Sequence, residues 1–177
     1  GVTSHDAIKV YKSELGRSLE FEFDDGNLLD ITDTYELESF GVLGQNIIAV
    51  NGKIKLPKWG GGAVVNLGDN YFTPYSFTLS FDYKTDQIGG CTMLVSSSSR
   101  ADNGTQTPGF HVRIYGTSLY FGVNKSAKFG DFYLMIPAFD VSEYNLTKYN
   151  RFVCKFTHSY NHTEGDKNNL SVYINGS

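Results

Sequence analysis

The chain has 177 residues, of which 40% are hydrophobic, so it is long enough to form one domain with a sizeable core. Its formal net charge is −4 and its Lys and Arg residues form no block, which argues against nucleic acid binding, because that needs clustered cations. No apolar run approaches the length of a membrane span. We therefore interpret residues 1–177 as a single domain and expect neither nucleic acid binding nor a membrane span.

Strands are the predicted elements along the whole chain. Aromatic residues make up 15% of it and 19 residues are glycine, a composition that favours pleated sheets and tight turns over helices. Apolar and polar residues alternate with a period of two, and turn residues separate the runs. In chain order, the predicted strands cover residues 18–23, 46–50, 63–67, 76–84, 92–96, 109–115, 118–123, 131–136, 151–158 and 169–174.

Residues 1–17 precede the first of these strands and are interpreted as an N-terminal extension. Within it, Ile8 and Val10 alternate with Lys9 and Tyr11, a pattern that predicts an additional strand. An open sheet edge leaves backbone donors and acceptors without partners, and such a strand would be able to fill it.

The strand at residues 76–84 shows the alternation most clearly. Its large apolar residues share one face, and they are Phe77, Leu79, Phe81 and Tyr83. Ten strands of this kind cannot lie in one flat sheet, because that sheet would expose its aromatic face to water. The sequence therefore predicts an all-β fold in which two antiparallel sheets pack face to face as a β-sandwich.

Residues 109–123 are predicted to form a hairpin with a polar and aromatic outer face. Its inward residues 110, 112 and 114 are apolar, and the residues of the opposite face are His111, Arg113, Tyr115 and Tyr120. Aromatic faces and planar donors suit sugar rings and their hydroxyls, so this row is a candidate glycan site. The alternatives are an ordinary solvated sheet face or a surface covered by a loop such as residues 124–150.

Trp59, in "PKWGGG", is a second candidate stacking platform, or else a cap on the edge of the core.

Two other kinds of site are left open by the sequence. Asp102 and Asn103 lie in the long polar loop at 96–109 and supply oxygen ligands that suit calcium, although Asp-Asn-Gly is also a turn signal.

Cys91 and Cys154 are both predicted to face inward. They form a disulfide if their Cα atoms lie within about 7 Å, and otherwise they are small buried hydrophobes.

Asparagine sequons give the compartment signal. The N-x-S/T motif occurs more often than the roughly two times expected from composition, at Asn103, Asn124, Asn145, Asn161, Asn169 and Asn175. The excess favours a glycosylated protein outside the cell or on a particle surface. The alternative is an Asn/Ser/Thr-rich sequence from a source without this modification.

The order of the segments resembles the concanavalin A-like, laminin G-like jelly-roll domains. The resemblance rests on "SLEFEFDDGNLLDIT", "AVVNLGDNYFTPYSFTLSFDYKT", "GFHVRIYGTSLYFGV" and "YNRFVCKFTHSYNHTEGDKNNLSVYING", taken in that order. It implies a jelly-roll sandwich over about residues 18–176. The family often has Trp at the position of Asp82, and Trp-His at Asn150 and Arg151. Such domains usually continue past "VYING" with a further hairpin and a closing strand, so we expected the closing strands to be missing here.

Catalysis is not expected. Glucanases of this family carry Glu-x-Asp-x-Glu on one strand, and this sequence lacks that motif. The nearest arrangement is Glu20-x-Glu22-x-Asp24, whose spacing along a strand is about 6.5 to 7 Å between alternate residues. This row is more simply read as the solvated face of an early strand.

The hypothesis from the sequence is therefore a non-catalytic recognition module, extracellular or on a cell or particle surface, that binds glycans or a glycosylated partner. It requires no cofactor, and calcium is left open. The alternative is a structural module of a filament, fibre or virion that binds other protein subunits. A glycoside hydrolase is the third and weakest hypothesis.

Overall fold

A computed structural model describes residues 3–5, 8–12, 17–41, 47–56, 61–67, 76–86, 89, 91–97, 109–124, 132–135, 139–163 and 165–177. This part of the chain is mostly β-structure in several antiparallel sheets. Its helical content is one short 3-10 turn at Asp24–Gly26. The all-β prediction is confirmed.

Within these ranges the chain forms fifteen strands. In order they are β1 (Thr3–His5), β2 (Ile8–Lys12), β3 (Arg17–Phe21), β4 (Glu38–Gly41), β5 (Ile48–Val50), β6 (Lys53–Lys55), β7 (Gly61–Val64), β8 (Phe77–Thr85), β9 (Cys91–Ser96), β10 (Gly109–Tyr115), β11 (Ser118–Asn124), β12 (Phe132–Met135), β13 (Phe139–Asp140), β14 (Asn150–Asn161) and β15 (Gly165–Ile174). Each of the ten predicted strands overlaps one of them. The short strands β1, β4, β6 and β13 have too few residues for the alternation to be detected in the sequence.

The larger sheet has eight strands, and β8 lies at its centre. On one side β8 pairs with β14, which in turn pairs with β15. On the other side it pairs with β1 and β2, and β1 continues through β6 to β5. Among the described strands of this sheet, β15, β5 and β3 each pair on one side only.

The N-terminal strand β2 lies inside this sheet and not at its edge. It pairs with β3 on one side and β8 on the other, so that Ile8 is opposite both Phe21 and Phe81. We expected a strand here to fill an open edge. The alternation of Ile8 and Val10 indicates a strand but carries no information about its neighbours, which are chosen by pairing between distant segments.

The second sheet has five strands in the order β12, β11, β10 and β9, with β13 also paired to β11. A separate pair is formed by β4 and β7. Phe77 of the larger sheet packs against two aromatic rings of the second sheet, with centroid distances of 4.9 Å to Phe110 and 6.3 Å to Phe121. The inner faces of these two sheets thus share one hydrophobic core.

The core consists mainly of the residues that alternation assigned to it. On β8 and β14 the buried apolar side chains are Phe77, Leu79, Phe81, Tyr83, Phe152, Cys154 and Phe156. The register places Phe81 opposite Phe152, and their stacked rings have centroids 5.4 Å apart.

Cys154 is buried as predicted and is a free thiol, not part of a disulfide. Burial raises its pKa to about 12, so the thiol stays protonated and acts as a small hydrophobic group.

Two of the three positions that depart from the laminin G-like pattern lie next to each other. Asp82 on β8 is opposite Arg151 on β14, and the guanidinium makes a bidentate ion pair with the carboxylate, through Nε to Oδ1 and through Nη2 to Oδ2 at 2.6 Å. Asp82 is buried beneath this contact. A charged pair therefore joins β8 and β14 on the face opposite to the apolar residues of β8.

Candidate functional site

The hairpin formed by β10 and β11 carries most of the predicted glycan site. Tyr115 and Ser118 close it, and Gly116, with a φ of 60°, occupies the first turn position, where glycine is favoured. Arg113 and Tyr120 are opposite each other across the hairpin, and the guanidinium lies 4.9 Å from the centroid of the Tyr120 ring. Both side chains are half-buried, whereas Tyr115 is 60% exposed. The structure thus brings these three side chains to one end of the hairpin.

His111 differs from the other members of the row because it is buried, with only 6% of its surface exposed. Burial lowers the pKa of its imidazole, and the nearby charge of Arg113 lowers it further. The ring is therefore neutral at neutral pH and stands in the interior. Our expectation that it contributes to an exposed face is not met, since alternation predicts which side of a strand a residue occupies but not whether another segment covers that side.

Three other predicted positions lie outside the described residues, namely Trp59, Asp102 and Asn103. Within the described ranges, no group of three or more His, Cys, Asp or Glu side chains is placed to hold a metal ion. The calcium hypothesis for the loop at 96–109 therefore stays a prediction.

The described sequons differ in how their amide groups are used. Asn169 is exposed, and Asn145 is also exposed but accepts hydrogen bonds from the backbone N–H and the hydroxyl of Thr147, at 3.0 and 2.6 Å. Asn175 donates its side-chain N–H to Asn150 at 2.9 Å, and a glycan there would leave its nitrogen only one hydrogen to donate. Asn103 lies outside the described residues, and the side chains of Asn124 and Asn161 are not described.

The acidic row on the first predicted strand does not keep a strand's geometry. Strand β3 ends at Phe21, and Phe23 has a left-handed φ of 58°, so the chain turns within the row. Glu22 and Asp24 are exposed beyond that point, beside a small depression of about 190 Å³. The regular spacing of Glu20, Glu22 and Asp24, on which the hydrolase hypothesis depends, is therefore broken between Glu22 and Asp24.

Asp30 in the loop that follows is a structural residue. Its Oδ1 accepts the backbone N–H groups of Thr34 and Tyr35, both at 2.8 Å, and its Oδ2 accepts the Thr32 hydroxyl at 2.6 Å. Burial by itself raises the pKa of this carboxyl group, but these hydrogen bonds lower it by more, so the pKa is below its ordinary value. The carboxylate fixes the loop between Asp30 and Tyr35.

One cavity in the described part of the chain was not anticipated from the sequence. Its volume is about 620 Å³, and it lies between the β5–β6 turn, the end of β8 and the loop that leads into β14. The residues that line it are Val50, Asn51, Lys53, Lys55, Lys84, Thr85, Asp86, Thr147 and Tyr149. We call this cavity the lysine pocket, because three of the described side chains that line it are lysines.

Sheet pairing explains how the lysines of this pocket come together. Ser4 of β1 is opposite Lys55 on one side and Lys84 on the other, so both lysines project to the same face of the sheet. Lys53, two residues before Lys55, shares that face. The ammonium groups of Lys53 and Lys84 lie 5.2 and 4.9 Å from the centroid of the Tyr149 ring.

The loop that carries Tyr149 is held in place by the adjacent strands. The backbone N–H of Thr85 donates to the carbonyl of Leu146 at 2.8 Å. Buried Asn150 donates to the carbonyls of Asn145 and Lys148, at 2.9 and 3.0 Å. These hydrogen bonds hold the loop at residues on both sides of Tyr149.

Comparisons of the chain with family models, with curated protein sequences and with solved structures found no match. In the described residues, no helix is long and apolar enough to cross a membrane. The site therefore has to be interpreted from its own geometry.

Proposed function

We propose that this protein is a non-catalytic recognition module that binds glycans or a glycosylated partner through the β10–β11 hairpin. The observation that carries the proposal is the arrangement of Arg113, Tyr115 and Tyr120 at one end of that hairpin. An exposed phenol ring offers an apolar face for the C–H groups of a sugar, and a guanidinium offers planar donors for its hydroxyls.

The proposed fold is a concanavalin A-like, laminin G-like jelly roll. Its support is the order of the sequence segments together with two antiparallel sheets that share a core through Phe77, Phe110 and Phe121. The sequons support a location outside the cell or on a particle surface. Asn169 is exposed, and we propose it as a position that carries a glycan.

The glycan site has a matched pair of tyrosines for its test. Tyr115→Ala removes a ring that is 60% exposed from the proposed site. Tyr173→Ala removes a ring that is 44% exposed from β15. On a glycan array we expect wild-type signal with a subset of glycans, a loss of at least fivefold in Tyr115→Ala and Tyr120→Ala, and no loss in Tyr173→Ala. Equal signal from all four proteins would refute the site.

The same array tests the calcium hypothesis. Binding that persists with a calcium chelator would show that recognition needs no metal ion. Binding that requires added calcium would instead direct attention to Asp102 and Asn103, whose oxygen atoms suit that ion.

A second candidate function, assembly with other protein subunits, is favoured by the outer strand β5. Ile48 and Val50 on this strand are 54% and 57% exposed, and unpaired backbone at a sheet edge invites a further strand. Sedimentation velocity at increasing concentration distinguishes the two functions. Self-association that Ile48→Lys abolishes and Val64→Lys leaves intact would favour assembly, and a monomer at every concentration would favour recognition.

A further inference from the structure

We propose that the β10–β11 hairpin selects acidic glycans, and that Arg113 binds their acidic group. This group is either the carboxylate of a sugar acid or a sulfate ester, which share a pair of anionic oxygen atoms. The inference rests on the proposed function, and it adds the class of glycan that the same site takes.

Arg113 carries a positive charge that no carboxylate of the described residues balances. Within that part of the chain its guanidinium forms no hydrogen bond or ion pair, and its contact is the ring of Tyr120. The residues opposite it are Tyr120 on β11 and Met93 on β9, and neither is an acid. Arg113 is half-buried, and a charge withdrawn from water without a partner is costly. An anionic ligand would supply the counter-charge.

Two other titratable side chains of this sheet do not balance the charge. His111 lies two residues before Arg113 on β10, and burial followed by the charge of Arg113 lowers its pKa, so the imidazole is neutral. Asp140 on β13 is opposite Ser118 at the start of β11, and its Oδ1 accepts the backbone N–H of Ser142 at 2.9 Å. This carboxylate is therefore used within its own turn.

The guanidinium presents donors that suit an acceptor with two oxygen atoms. The Tyr120 ring lies 4.9 Å from it and holds it in place. Of its three nitrogen atoms, only Nε is closed to solvent without a partner. The two Nη atoms are therefore the donors that a ligand reaches, and a carboxylate or sulfate can bind both of them. Such charged hydrogen bonds are roughly twice as strong as neutral ones, so the site should prefer an acidic sugar to a neutral one.

The adjoining tyrosines fit the rest of the saccharide. Tyr115, two residues after Arg113 and 60% exposed, offers a ring face to the C–H groups of a sugar. The hydroxyl of Tyr120 has no hydrogen-bond partner within the described ranges, and it can donate to a sugar hydroxyl or to the acidic group. A bare inorganic anion would use Arg113 alone, whereas an acidic saccharide also contacts the two rings.

The test uses pairs of immobilised glycans that differ only in the acidic group. One kind of pair is a sialylated glycan and its desialylated form, and the other is a sulfated glycan and its unsulfated form. We expect the acidic member of at least one kind of pair to give a signal at least about fivefold above its neutral partner, and that kind of pair identifies the group. This preference should weaken as the salt concentration rises, because salt screens the charges.

Three variants of the intact protein assign the preference to Arg113. Arg113→Gln should abolish it without lowering the melting temperature, because the lost charge has no partner among the described residues. Arg113→Lys, which keeps the charge but not the planar fork, should reduce it by about threefold. Lys155→Gln removes an exposed cation from β14 in the other sheet and should leave the preference unchanged.

Three outcomes would overturn the inference. Equal signals from acidic and neutral glycans would do so while leaving glycan binding by the hairpin intact. A preference that Arg113→Gln retains would place acid recognition elsewhere. Competition by sodium acetate or sodium sulfate as strong as that by the soluble acidic glycan would leave only a general anion site. A lack of signal with every glycan would instead refute the proposed function itself, so the two failures are distinguishable.

Discussion

Replacing Phe77 with Ala is expected to lower the free energy of unfolding by about 3–5 kcal/mol, because this ring joins the cores of the two sheets. It is 3% exposed and lies within 4.9 to 6.3 Å of the rings of Phe110, Phe121 and Phe156. Its loss leaves a cavity between the sheets that neither can close alone. Chemical denaturation followed by intrinsic fluorescence or circular dichroism measures the effect.

Phe139→Ala is the matched control for this variant. Phe139 is 44% exposed on β13, so the same change of side chain should cost less than about 1 kcal/mol there. A similar loss of stability in both variants would contradict the packing of the larger sheet on the second sheet through Phe77.

The second large effect is expected for Asp30→Ala, which should lower the free energy of unfolding by about 2–4 kcal/mol at pH 7. The carboxylate accepts two backbone N–H groups and the Thr32 hydroxyl, and bonds to a charged group are among the stronger ones. Glu36→Ala removes an exposed carboxylate from the same segment and should change stability by less than about 0.5 kcal/mol.

The pH dependence of this effect follows from the lowered pKa of Asp30. A carboxyl group whose folded-state pKa lies below its unfolded value stabilises the protein fully above the unfolded value, and that contribution is lost as the pH falls through the folded-state pKa. The stability difference between wild type and Asp30→Ala should therefore be constant near neutral pH and should shrink below about pH 4. A difference that stays the same down to pH 2 would show that the charge of Asp30 is not what holds the loop.

The sequence predicts the inner faces of the long strands well. Phe77, Leu79, Phe81 and Tyr83 are all buried, because a period of two puts them on one side of β8 and they are too large and apolar to remain in water. Cys154 follows the same rule on β14. These features depend on local pattern alone.

The sequence fails where the structure depends on contacts between distant segments. Alternation assigns His111 to the outer face of its strand, yet it cannot indicate that His111 is buried there. It predicts a strand near Ile8 and Val10 but not that β3 and β8 pair with it. The sequence does not predict the lysine pocket for the same reason. Lys55, Lys84 and Tyr149 belong to three separate segments, and only the sheet register brings them together.

The central claim is that the β10–β11 hairpin recognises a glycan without cleaving it. Its most direct test is an NMR titration of the isotope-labelled protein with the glycan that gives the strongest array signal, followed by analysis of the sugar for cleavage products. We predict saturable shifts of the amide signals of Arg113, Tyr115 and Tyr120, and an intact glycan at the end. Shifts confined to other strands, or release of a shorter sugar, would contradict the account.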